Sequence, residues 1–176
     1  MSRDDPDEPE FGPELRQGAG REWVEEAAED ERWTQKLRER RSDLKQRALA
    51  MVAEGRQVRA ELPSLAFTGR LTFAGSDYAV IDSGYEEVAI RLDAALWEIM
   101  AATGDGNAPR REPQSFRAHL AELEASGEVI RALTRDGEVA GRIRTVASDH
   151  VVAEAETYEM LIPIASLVGT VRTKTR

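Results

Sequence analysis

The 176-residue chain contains no cysteine. Disulfides, thiolate metal sites and thiol nucleophiles are therefore excluded. Histidine is scarce as well: His119 and His150 are the only two, too few for a histidine-built metal centre. Aromatic residues make up only 6% of the chain, so a core must be mainly aliphatic. No apolar run approaches the length of a membrane helix, and the N-terminus has no apolar signal core. No Gly-rich phosphate loop, nucleophile elbow or metal motif is present. These absences set the expectation of a soluble, cytoplasmic protein that is not an enzyme, uses no cofactor and meets no membrane.

Charge is present in quantity but unevenly spread. Residues 1–32 carry 12 acids and 4 bases, which is −8 of the net −9. The single basic cluster follows, with Lys36, Arg38, Arg40, Arg41, Lys45 and Arg47. Arginine outnumbers lysine and alanine is abundant, a bias that suggests a GC-rich bacterial genome. Residues 1–20 combine acids, prolines and glycines with few apolar side chains, the composition of a disordered acidic tail. Residues 21–54 lack proline and glycine, and Trp33, Leu37, Leu44, Ala48 and Met51 recur at helical spacing. One long helix is expected there, with Gly55 closing it. Leu37, Leu44 and Met51 lie seven apart, as in a short coiled-coil seam.

From Arg56 onward the period changes to two. Val58, Ala60 and Leu62 alternate with charged residues, Phe67, Gly69, Leu71 and Phe73 with Thr68, Arg70 and Thr72, and Val88, Ile90 and Leu92 with Ala89, Arg91 and Asp93. Such alternation predicts half-buried strands. Residues 101–114 are a linker by composition. Ser115 then caps a short helix carrying Phe116, Leu120 and Leu123, which ends before Gly127. Alternation resumes with Val139, Gly141 and Ile143, and again with Met160, Ile162 and Ile164. The expected domains are a tail at 1–20, a helix at 21–54, one β unit at 55–100, a linker at 101–114 and a second β unit at 115–176.

The two β units are copies. Residues 51–100 align on 123–172 without a gap, and eleven positions are identical, among them Gly69/Gly141, Arg70/Arg142, Ser76/Ser148, Asp77/Asp149 and Glu87/Glu159. Inward and outward positions also match, which period-two strands require. Each unit reads as a helix followed by about five short strands. Gly141, Ile143 and Val146, the turn "ASDH" and the strand "VVAEA" resemble the first signature of the Sm-like (LSm) fold. Gly69, Leu71 and Ala74 with "GSDY" and "AVI" are its counterpart, and "YEMLIPIASLVGTV" resembles the second signature. The resemblance implies an α+β, mostly β chain: a long N-terminal helix, then two five-stranded, strongly bent antiparallel barrels, the second preceded by a short helix. It also implies that strands four and five of each unit are free edges, able to pair with each other or with further chains.

Two functions follow as expectations. The first is a noncatalytic binding or assembly module that self-associates through strand edges or the N-terminal helix. The second is RNA binding in gene regulation. The resemblance places its base-stacking position on Tyr78 and His150, and half of its Arg-Gly pair on Arg172. The basic band adds Arg38, Arg41 and Lys45 as phosphate contacts, or else forms a solvated helix face. Where RNA-binding Sm proteins carry Asp and Asn in the turn, this chain has Ala147 and Val151, and Gly75 and Ala79. Asp77 and Asp149 are expected to make turn hydrogen bonds. His119 is expected at the surface, and Glu86, Glu87 and Glu159 at outward strand positions.

Overall fold

The computed structural model describes residues 32, 33, 36, 43–102 and 112–174. The chain forms two compact units, Met1–Ser42 and Asp43–Arg176, and all ten strands belong to the second. Arg32, Trp33 and Lys36 are helical, and the Lys36 ammonium lies 5.7 Å from the Trp33 ring centre. The expected tail at 1–20, and Arg38, Arg40 and Arg41, lie outside the described residues.

The expected uninterrupted helix over 21–54 is corrected. Helix α1 spans Leu44–Ala53, and Asp43 before it is extended at φ −82° and ψ 170°. Its carboxylate accepts the Gln46 N–H at 2.7 Å, which starts the helix afresh. Nor do Leu44 and Met51 share a buried seam, since Met51 is in the core and Leu44 is exposed.

Strands β1 (Arg56–Glu61), β2 (Ala66–Ala74), β3 (Tyr78–Asp82), β4 (Glu86–Arg91) and β5 (Leu96–Ala102) follow. Helix α2 (Phe116–Ser126) leads to β6 (Val129–Thr134), β7 (Glu138–Val146), β8 (His150–Glu154) and β9 (Glu159–Pro163). A 3-10 turn at Ile164–Ser166 precedes β10 (Leu167–Thr173). The sheet order is β5-β1-β2-β3-β4-β10-β6-β7-β8-β9, antiparallel throughout.

This order overturns the expected pair of five-stranded barrels. Instead β10 lies between β4 and β6, so the two halves form one open ten-stranded sheet. Among the described residues nothing pairs with the outer sides of β5 and β9. Nor is any described helix long and apolar enough to cross a membrane.

The repeat holds down to single bonds. A bulge falls between Leu71 and Phe73 in β2, and between Ile143 and Thr145 in β7. The N–H of Leu92 donates to Asp77 O, and that of Ile164 to Asp149 O. A Cβ on Gly69 would lie 2.3 Å from Asp82 O, and one on Gly141 2.5 Å from Glu154 O. Only glycine lets these bent strands approach their neighbours so closely.

The gapless alignment fails at one place. Ala60 pairs with Trp97 and Ala132 with Thr170, while Arg59 pairs with Glu98 and Arg131 with Val171. These neighbours put β10 one residue out of step with β5. The extra residue is taken up by the irregularity between Leu167 and Gly169.

Two hydrophobic clusters form the core, and each draws on both halves. Ala48, Val58, Leu71, Ile81 and Ile90 are packed with Leu133, Val168 and Val171. Phe116, Leu120, Ile130, Ile143 and Ile162 are packed with Phe73, Tyr78, Val80 and Ala89.

Candidate interaction site

The junction between the halves is the best-defined polar site among the described residues. Val171 faces Val88 and Arg172 faces Glu87 across β10 and β4. Three ion pairs cross it: Arg172 to Glu87 at 2.6 Å, Arg131 to Glu86 at 2.8 Å, and Lys174 to Asp82. The Lys174 N–H also donates to Tyr85 O at 2.9 Å. Burial pulls the Arg172 pKa down, but the charge of Glu87 and its hydrogen bond outweigh this and raise it above its ordinary value. Glu87 itself is buried, not outward as its alternation suggests.

Helix α2 seats on the first half beside this junction. Asp77 Oδ1 accepts the Phe116 N–H at 2.8 Å, and Ser115 Oγ accepts that of Ala118 at 3.2 Å. Tyr78 is fully buried, and its hydroxyl donates to Pro113 O at 2.7 Å. Its ring lies 5.5 Å from Phe73, 6.0 Å from Phe116 and 5.3 Å from His119. Burial raises the Tyr78 pKa, and Glu112, Glu122 and Asp77 add to that.

His119 is buried, against the expected surface position, with Nε2 3.0 Å from Thr170 Oγ1. Its Nδ1 has no partner. Burial first, then the charge of Arg172, lowers its pKa from 6.5 to about 4, so the ring is neutral at pH 7. A cavity of about 220 Å³ adjoins it, lined by His119, Glu122, Leu123, Ser126 and Arg172. Among the described residues no group of three or more carboxylates and imidazoles is placed to hold a metal ion.

The second half leaves the corresponding positions uncovered. Asp149 is exposed, and its Oδ1 lies 2.7 Å from His150 Nδ1, which lowers the Asp149 pKa. Leu161, in the place of buried Ala89, is 68% exposed. An open groove of about 710 Å³ runs past Gly141, Arg142, Glu154 and Tyr158. In the first half the equivalent turn is bridged by Lys174.

Of the described residues expected to bind RNA, Tyr78 and Arg172 come together, while His150 and Lys45 lie apart from them. Tyr78 offers no ring face to a base, because Phe73, Phe116 and His119 surround it. Arg172 is held by Glu87, at the same junction as Tyr78. His150 is part-exposed at its turn and Lys45 is exposed on α1, with no contact joining them among the described residues. Sequence reasoning missed His119, Thr170 and Glu87. The signal for His119 was present: it lies three residues from Phe116 and four from Leu123, inside the apolar stripe. No protein-family model matches the chain, and no curated protein matches it.

Proposed function

We propose that the protein is a cytoplasmic, noncatalytic assembly module of Sm-like kinship, whose copies associate head to tail through β5 and β9. The observation that carries this reading is the β4–β10 ladder, in which one half already uses a fourth-strand edge to bind a fifth strand. The chain keeps one more edge of each kind, β9 and β5. Unpaired strand edges are stable in isolation only when blunted by charge, proline or cover. Here β5 carries one acid, Glu98, and exposes Leu96, Ile99 and Met100, while β9 carries Glu159 and ends on Pro163 but is flanked by Tyr158 and contains Leu161, both well exposed. Equating β5 with β10 through their shared neighbours gives the register: Trp97 opposite Leu161, Glu98 opposite Met160 and Ile99 opposite Glu159.

Light scattering on the eluting full-length chain over a range of concentrations tests the reading. Species larger than one chain are expected, and Leu161→Lys is expected to return them to monomer with unchanged circular dichroism. A strict monomer at all concentrations overturns the assembly.

RNA binding is the second reading, supported by the part-exposed His150 ring at the turn where Sm proteins stack a base. Filter binding against mixed cellular RNA at low and physiological salt tests it, and no retention at low salt ends it.

A further inference from the structure

The inner junction is more than a strand pair, because a helix start is bound to the turn of the other half. Asp77 takes the first N–H of α2, Tyr78 packs on Phe116 and His119, and Ala89 lies beneath them in the same cluster. The repeat supplies both sides of this contact a second time. Asp43 caps α1 through Gln46 as Ser115 caps α2 through Ala118. Leu44 then occupies the place of Phe116, Arg47 that of His119, and Met51 that of Leu123. On the receiving side, Asp149, His150 and Leu161 occupy the places of Asp77, Tyr78 and Ala89. In the inner copy all of the apolar members are buried. In the outer copy Leu44 is 57% and Leu161 68% exposed, and no described residue accepts the Leu44 N–H.

We propose that Asp149, His150 and Leu161 form the seat for α1 of a second copy of this chain, with Leu44 on His150 and the Leu44 N–H on Asp149. This rests on the head-to-tail reading and supplies the side-chain contacts that the strand ladder alone lacks.

The charges of the outer junction support the pairing. In the inner junction Glu87 takes its cation from β10, through Arg172. Glu159 is already paired with Arg144 of its own sheet. The register puts Ile99 in the place of Arg172, so β5 adds no cation across the junction. Arg47 adds one from the helix, because it stands where His119 stands beside Glu87 in the wall of the small void there. The other two inner ion pairs each lose one partner, since Tyr158 stands for Glu86 and Lys174 falls on the Ala101–Ala102 end of β5, while Arg59 and Glu154 stand for Arg131 and Asp82. The outer junction thus has fewer matched charges than the inner one, and the Arg47–Glu159 pair sets its register.

One difference loosens it. A Cβ on Gly75 would lie 2.7 Å from Gln114 O, and the second half has Ala147 at that position. The added methyl of Ala147 therefore leaves less room at the outer seat than Gly75 leaves at the inner one. Association weaker than the inner junction follows, and Ala147→Gly strengthens it.

The test uses two variants of the full chain, Arg47→Glu and Glu159→Arg, measured by sedimentation equilibrium. Each alone opposes like charges in every outer junction and is expected to weaken association at least about tenfold. Mixed in equal amounts, they place opposite charges in every alternating junction, and assembly is expected to return. Asp149→Ala is expected to weaken association about fivefold, the loss of one capping bond. Asp149 is exposed, so this variant keeps the monomer's thermal midpoint. A wild-type chain that stays monomeric overturns the assembly reading and this seat with it. A wild-type chain that assembles, while the two charge variants bind normally or fail to complement each other, overturns the seat alone.

Discussion

His119 lies on the face of α2 that Phe116, Leu120 and Leu123 define, and the fold treats it as one of them. Its ring is stacked near Tyr78 and Phe116, and Thr170 satisfies only one of its nitrogens. A polar side chain on an apolar stripe reads ambiguously in sequence, because the surface covering it comes from a strand fifty-one residues away. Tyr78 and His150 show the same effect. They are equivalent in the repeat, yet one is sealed by α2 and the other is part-exposed. The neutral state of His119 has a measurable consequence. Its folded pKa of about 4 lies below the unfolded value of 6.5, so the unfolded chain binds more protons between those values. Its contribution is complete above pH 6.5 and is lost as pH falls towards 4, a change of about 3 kcal/mol. Denaturant unfolding of wild type and His119→Gln at pH 7 and pH 4.5 checks this. The variant should lose less stability on acidification, and equal losses would refute the assignment.

At the scale of elements, much was legible. The period-two runs marked the strands, and Ser115 and Gly127 bounded α2 where composition placed it. The Gly69 and Gly141 positions announced close strand contacts. The one-residue slip of β10 was not legible, because none of the identities between the copies falls beyond Ile90 and Ile162. The helix break at Asp43 was also hidden, since no proline or glycine marks it and a capping aspartate looks like any other in a charged run. Asp77 was read as a turn residue, and Ser76 Oγ does donate to it, but it also holds the start of α2 from the other side of the linker. Asp77→Ala should therefore cost about 1 kcal/mol of stability, as a lost helix cap does. Asp149→Ala should leave the stability of the monomer almost unchanged. Thermal melts of the two variants at low protein concentration separate these outcomes.

For the whole molecule, composition and the repeat carried the β-rich character and the two copies, but not the open sheet. Whether five strands close on themselves depends on which strand satisfies the edge of β4, and local pattern does not encode that choice. In this chain β10 satisfies it, and the halves then share both hydrophobic clusters. Leu133 and Val171 complete the core of the first half, while Phe73 and Tyr78 complete that of the second. Residues 43–174 should accordingly unfold in one step. Calorimetric and van't Hoff enthalpies of the 43–174 fragment should agree. Two resolved transitions would show that the halves are separable after all.

The sheet ends in two unlike strands, and this gives the molecule a direction. A two-fold axis would bring β5 to β5 or β9 to β9, and neither match copies the ladder found at β4 and β10. Each chain added in the β9-to-β5 sense leaves one strand of each kind open at opposite poles of the growing array. Only the angle turned at each addition decides whether the poles meet or growth continues as a filament. The subunit number is then a property of sheet curvature, which the bends at Gly69 and Gly141 help to set.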